Sequence, residues 1–164
     1  MQTRMILAIN PGSTSTKIAV FDGEKQVFLK NIKHTVEEIA PYKKITDQFD
    51  FRKDVILKEL KAAGIQLETL KIIVGRGGLV KPVPSGVFLV NDKMKHDLRN
   101  SNKEHASNLG GLIADDIAKS LNNGALAVIA DPVVVDEMED IARIAGHPLF
   151  ESVSIFHALN QKAV

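Results

Sequence analysis

The chain has 164 residues, 45% of them hydrophobic and 25% charged, with a formal net charge of +1. That is the composition of one ordinary globular domain with a sizeable core, and it carries no broad signature of nucleic-acid binding. Cysteine is absent, so disulfides, thiolate catalysis and cysteine metal sites are excluded. No apolar run approaches membrane-spanning length and no signal-peptide pattern is visible; the expected location is cytoplasmic.

Ile6 to Ile9 and Ile18 to Phe21 are apolar runs separated by Asn10-Pro11-Gly12-Ser13-Thr14-Ser15-Thr16-Lys17. The pattern predicts a hairpin whose loop approaches a ligand closely. Gly12 admits backbone geometry closed to other residues, Ser13, Thr14, Ser15 and Thr16 offer hydroxyl donors, and Lys17 offers a mobile positive charge. The loop suits an anion, especially phosphate, or is an ordinary polar turn with Lys17 in solvent. It is not the GxxxxGK[ST] loop, because no second glycine precedes Lys17 and a strand follows. A turn at Asp22-Gly23-Glu24 and the run Gln26 to Ile32 extend the hairpin to a three-stranded meander.

A connection with a short helix near Thr35 to Ile39 follows. Phe51 to Ala63 has helical spacing, with Phe51, Val55, Ile56, Leu60 and Ala63 on one face, Asp50 as the expected cap and Gly64 as the stop. Lys71 to Val74 reads as a buried strand running into Gly75-Arg76-Gly77-Gly78, where glycines are expected to let the chain turn at a strand end. Val87 to Val90 is a short strand. Lys93 to Asn100 is a helix capped by Asn91 or Asp92, and Ser107 to Leu121 is a second, with Leu109, Leu112, Ile113, Ile117 and Leu121 inward. Ala125 to Ala130 is a buried strand ending at Asp131-Pro132. Glu137 to Ala145 reads as helical, Ser154 to Phe156 as extended and His157 to Val164 as the start of a helix. A meander followed by alternating helices and strands predicts an α/β fold with a mixed sheet.

Four isolated residues carry possible chemistry. The Arg76 guanidinium suits paired hydrogen bonds to carboxylate or phosphate, or a salt bridge beside a glycine turn. Asp131, at the end of a strand, could orient water, bind a metal or hold a cationic partner. His105 and His157 could donate a proton or a hydrogen bond near neutral pH; His34, His96 and His147 have weaker contexts. The acids Asp136, Glu137, Glu139 and Asp140 read as a solvated helix start favoured by the helix dipole. No Gly-x-Ser-x-Gly turn occurs, which disfavours serine hydrolysis.

Together, five segments occur in a specific order: Asn10 to Lys17, Gly75 to Gly78, His105-Ala106-Ser107-Asn108-Leu109-Gly110, Ala130-Asp131-Pro132-Val133-Val134-Val135-Asp136-Glu137, and Phe156-His157-Ala158-Leu159-Asn160-Gln161-Lys162-Ala163. In this order they resemble the acetate/butyrate/propionate kinase family of the actin-like ATPase superfamily, over essentially the whole chain. Gln161 stands where the acetate branch commonly has histidine, and the wording Ala158-Leu159-Asn160-Gln161 resembles the butyrate-kinase branch.

The resemblance implies a ribonuclease-H-like α/β domain and reversible transfer of the ATP γ-phosphoryl group to butanoate, with Mg²⁺. It puts Asn10, Gly12, Ser13, Thr14, Ser15 and Lys17 at the phosphates, with Asn10 near the metal, Arg76 at the carboxylate, His105 and His157 beside the transferring phosphoryl group, and Asp131 as an acidic active-site residue. It also implies that residues 1–164 form an amino-terminal domain truncated before a second, nucleotide-binding domain, inactive alone, and that the parent is a homo-oligomer with no nucleic-acid or membrane partner. Kinases of propionate or branched acids, or a non-catalytic nucleotide- or phosphate-binding module, are the alternatives.

Overall fold

The computed structural model describes residues 5–156. Six strands form one mixed sheet: β1 (Met5–Pro11), β2 (Ser15–Asp22), β3 (Lys25–Lys33), β4 (Leu70–Arg76), β5 (Val87–Leu89) and β6 (Leu126–Ala130), in the order β3-β2-β1-β4-β6-β5. The first three form the antiparallel meander; β4 runs parallel to β1, and β6 parallel to β4. β5 adds an antiparallel edge to β6. The helices are α1 (Val36–Ile39), α2 (Phe49–Ala62), α3 (Asp92–Asn100) and α4 (Asn108–Leu121). This is the ribonuclease-H-like arrangement, an antiparallel meander extended by parallel strands and flanked by helices. No described helix is long and apolar enough to cross a membrane.

Alternation along the strands decides which face is buried. Leu7, Ile9, Ile18, Val20 and Ile73 pack with Ile56 and Leu60 of α2 and with Leu109, Ile113 and Ile117 of α4 in one core. Each such side chain contributes about 1.5–3 kcal/mol when fully buried. A second cluster joins Leu98 of α3 to Leu112 and Ile129. On the other face, Ala8, Ala19, Phe21, Val74 and Ala130 line an open apolar cleft that also takes in Lys17 and Arg76.

Several local expectations change. The stop of α2 is as expected, with Gly64 left-handed at φ 71° and its N–H on Lys61. Its start is not: a 3-10 turn, Ile45–Gln48, runs straight into the helix, and Asp50 lies inside the first turn. The inward stripe of α2 is Arg52, Ile56 and Leu60, at i, i+4, i+8. Asn91 caps α3 by accepting the Met94 N–H. Glu137 to Ala145 holds no α-helix, only a 3-10 turn, Asp140–Arg143, followed by an isolated antiparallel bridge from Ile144 to Glu151. The reason is local pairing: the Asp136 carboxylate takes both Arg143 Nη atoms at 3.0 Å and the Met138 N–H at 3.2 Å, which closes a loop. The segment also lacks an apolar stripe to bury, since Ile141 and Ile144 are exposed. Ser154 to Phe156 is not a strand; Ser154 Oγ and Phe156 N–H donate to the carbonyls of Val135 and Val133. The helix expected from His157 lies outside the described residues.

Candidate functional site

The β1–β2 hairpin closes with Pro11 opposite Thr16, leaving Gly12, Ser13, Thr14 and Ser15 at the turn. Gly12 N–H donates to the Ser15 carbonyl at 2.7 Å. Gly12 is not left-handed, and a Cβ there would meet the Ser15 carbonyl at 3.4 Å, an ordinary contact, so neither special geometry nor crowding within the turn requires glycine. Behind the turn lies a residue that the sequence reading passed over. Arg52, 1% exposed, donates from Nη1 to the carbonyls of Gly12 (2.7 Å) and Ser15 (3.1 Å) and to Thr16 Oγ1 (3.1 Å). Its Nη2 donates to the Ser13 carbonyl (2.9 Å) and its Nε to Gln48 Oε1 (2.9 Å). The fourth carbonyl of the turn, Thr14, accepts the His34 N–H at 2.9 Å. His34 is buried as well, its Nε2 2.8 Å from Thr16 Oγ1 and its ring edge-on to Phe51. Burial, then the Arg52 charge, push its pKa down, against the opposing pull of Glu38.

Arg76 ends β4 and is exposed. None of Gly75, Gly77 and Gly78 is left-handed, so special backbone geometry is not what they supply, although the chain bends just beyond them with the Val80 N–H on the Gly78 carbonyl at 3.0 Å. They allow contact between backbones instead. A Cβ on Gly75 would stand 2.3 Å from the Gly110 carbonyl, one on Gly110 2.5 Å from the Arg76 carbonyl, and one on Gly77 2.5 Å from Pro132. The start of α4 thus lies directly against the end of β4. Asn108, 2% exposed, fixes that junction by accepting the Leu79 N–H at 2.8 Å.

The junction carries His105 to the mouth of the hairpin loop. His105 Nδ1 accepts the Ser107 N–H at 3.2 Å and lies 2.6 Å from Ser107 Oγ. An acceptor at Nδ1 places the ring proton on Nε2 in the neutral form. Burial, then the charge of Arg76, push the His105 pKa down. The ring lies 5.2 Å from that of Phe156.

One cleft of about 300 Å³ is lined by Asn10, Pro11, Gly12, Arg76, His105, Ser107, Val133 and Phe156. It sets hydrogen-bond donors and a guanidinium against an apolar wall, a combination suited to a small amphiphilic anion. Of the residues singled out from sequence, Asn10, Gly12, Arg76 and His105 meet here. Ser13 and Thr14 stand exposed at the turn above. Lys17 pairs with Asn10 across the hairpin and projects to the apolar cleft on the opposite face, where Asn10 and Arg76 also reach. Asp131, left-handed at φ 42°, accepts the Gly86 N–H at 2.8 Å and is outside the lining of the first cleft. His157 lies outside the described residues. No group of three His, Asp or Glu residues able to hold a metal occurs among the described residues.

No protein-family model matches the chain. Its fold is shared with acetate and propionate kinases of known structure: a Porphyromonas gingivalis acetate kinase (TM-score 0.55, 14% identity, 98% of this chain and 44% of that one) and a propionate kinase from Francisella tularensis (TM-score 0.52, 14% identity, 89% and 41%). In sequence it is 56% identical to a probable butyrate kinase of Bacteroides thetaiotaomicron over 159 residues and 55% identical to butyrate kinase 1 of Clostridium acetobutylicum over 160. Each match covers 97% of this chain and 44% of the relative, so the chain spans less than half the length of these curated relatives. Over the stretch it spans, the chain is thus similar in sequence to butyrate kinases and shares its fold with acetate and propionate kinases.

Proposed function

We propose that residues 1–164 are the amino-terminal domain of an ATP-dependent kinase of short-chain carboxylic acids, with butanoate or a close relative as acceptor. The observation that carries this reading is the convergence of Asn10, Gly12, Arg76 and His105 on one cleft with an apolar wall of Pro11, Val133 and Phe156. In this reading Arg76 pairs with the acceptor carboxylate, and the acyl chain lies along that wall. A carboxylate oxygen forms a bond to the γ-phosphorus as the bond from phosphorus to the bridging oxygen of ADP breaks. The products are acyl phosphate and ADP. The carboxylate is already ionised, so no general base is needed. The protein's part is alignment and charge stabilisation. Ser13, Thr14, Ser15 and Lys17 belong to the phosphate side, and His105 offers its Nε2–H to a phosphoryl oxygen.

The residues at hand fit a magnesium ion that arrives on the nucleotide. Mg²⁺ keeps most of its waters and phosphate ligands and needs few protein oxygens. Asn10 is the residue that would contribute one, and the ion's chemistry there is neutralisation of phosphate charge. Asp131 and His157 complete the set as proposed members, in a cytoplasmic, homo-oligomeric parent.

The test supplies Mg-ATP with acetate, propionate, butanoate or isobutanoate to a chain extended to the length of the curated relatives, with the 164-residue chain in parallel. Acyl phosphate is trapped as hydroxamate and ADP is followed by coupled oxidation of NADH. Turnover with a preference for four-carbon acids in the long protein, and none in the short one, is the expected result. A folded long protein that forms no acyl phosphate would refute the proposal.

A further inference from the structure

Arg52 has no part in the cleft and yet makes more hydrogen bonds than any cleft residue. Its environment is unusual in two respects. The guanidinium is buried, and among the described residues no carboxylate pairs with it; its partners are carbonyls, one hydroxyl and one amide oxygen. A buried arginine is ordinarily balanced by an acid, because an uncompensated charge away from water is costly. Here neutral oxygens alone satisfy its hydrogen bonds, and no described carboxylate cancels its positive charge.

The second respect is what the guanidinium does to the turn. It draws the carbonyls of Gly12 and Ser13 inward. In a trans peptide the N–H points opposite to the carbonyl of the same unit. The Ser13 and Thr14 N–H groups are therefore turned away from Arg52, and no acceptor among the described residues takes either one. Both face the exposed side of the turn, where Gly12 borders the cleft. Adjacent backbone N–H groups of this kind form an anion-binding concavity.

We propose that Arg52 is the positioning residue of this loop: it orients the Ser13 and Thr14 N–H groups toward a phosphate of the nucleotide and supplies a fixed positive charge behind it, without touching the ligand. The inference rests on the reading of the loop as a phosphate site. It extends that reading to a residue of α2 that lies outside every motif of the family resemblance.

The probe is inorganic tripolyphosphate, added to the 164-residue chain and followed residue by residue through backbone ¹H–¹⁵N shifts. Wild-type chain is expected to show saturable shifts at Ser13 and Thr14. Arg52→Gln is expected to weaken that affinity about tenfold or more, equal to about 1.4 kcal/mol. Arg52→Lys, which keeps the charge and loses the fork, is expected to fall between the two. Thr16→Val removes one partner of Arg52 and keeps the charge; it is expected to lower the urea midpoint while retaining more affinity than Arg52→Gln. Folding of each variant is checked by the shift dispersion of core amides, and if Arg52→Gln does not fold, Arg52→Lys carries the decision. Folded Arg52 variants that bind within twofold of wild type would overturn the inference and leave the phosphate-loop reading intact. A wild-type chain that shows no shift at Ser13 or Thr14 would overturn both.

Discussion

The contact between β4 and α4 can be tested by two substitutions one residue apart. A Cβ at Gly110 would stand 2.5 Å from the Arg76 carbonyl oxygen and 3.2 Å from the Arg76 nitrogen. Both are backbone atoms of the strand that carries the guanidinium, so relief requires moving α4 off the sheet. A Cβ at Gly111 would meet Ile129 Cγ2 at 3.0 Å and Leu98 Cδ1 at 3.1 Å, which are side-chain ends able to yield by a few tenths of an ångström. Alanine gains about 0.8–1 kcal/mol over glycine inside a helix, and the gain is the same at both positions. Overpacking costs about 1–3 kcal/mol, and displaced backbone puts Gly110→Ala at or above the top of that range. The expected net changes are a loss of about 2 kcal/mol for Gly110→Ala and a change near zero for Gly111→Ala. At about 2–4 °C per kcal/mol for a chain of this size, Gly110→Ala should melt several degrees lower. Urea and thermal denaturation followed by circular dichroism measure both variants on the same chain. Equal stabilities, or a greater loss at Gly111, would refute the claim that backbone contact fixes this junction.

Two further predictions concern the polar groups that support the site. His34 has its folded-state pKa held below the ordinary value of 6.5, first by burial and then by Arg52. Below about pH 6.5 the unfolded chain gains a proton that the folded chain resists, so stability falls with pH by up to about 1.4 kcal/mol per unit until the folded pKa is passed; above 6.5 this group contributes no slope. His34→Gln should flatten the pH 5–6.5 dependence of the urea-derived stability relative to wild type, and an unchanged slope would show that His34 does not titrate differently on folding. His105 is shifted in the same direction and remains in both proteins, so the difference between them reports His34. Asn108→Ala strands the buried Leu79 N–H and should cost about 1–3 kcal/mol. It should also speed amide hydrogen exchange at Leu79 selectively; exchange unchanged there would deny Asn108 its anchoring role.

The sheet and its helices were legible because strand alternation and helical spacing report burial directly. The ordered polar motifs likewise placed Asn10, Gly12, Arg76 and His105 in one neighbourhood. What escaped was whatever a periodicity rule counts as noise. Arg52 occupies the apolar stripe of α2 with Ile56 and Leu60, and a charged residue does not register as inward in a hydrophobic pattern. An arginine four and eight residues before two aliphatic inward positions is the available signal. His34 looked incidental because its partners, Thr16 and Arg52, are brought together only by the fold. The glycines around Arg76 were read for conformational freedom, yet their use is steric and needs the opposing Gly110 to be seen. The acidic segment after Asp136 promised a helix until Arg143 supplied a stronger local partner.

These omissions share a cause that also organises the site. Three parts of the cleft are held by residues distant in sequence: the turn of β1–β2 by Arg52 of α2, the end of β4 by Gly110 of α4, and Phe156 by the Val133 carbonyl, while His105 is held locally by Ser107. Residues that touch a ligand fall in recognisable strings because one short loop must present several of them. Residues that hold those loops need only reach them through space, so their identity is set by burial and hydrogen-bond geometry. If this division holds, substitutions at Arg52, Gly110 and Asn108 should alter the stability or shape of the loops, whereas Arg76 substitutions should leave stability nearly unchanged, since its side chain is exposed at the strand end. A marked loss of folding stability in Arg76→Ala would place Arg76 among the structural residues and remove it from the cleft's chemistry.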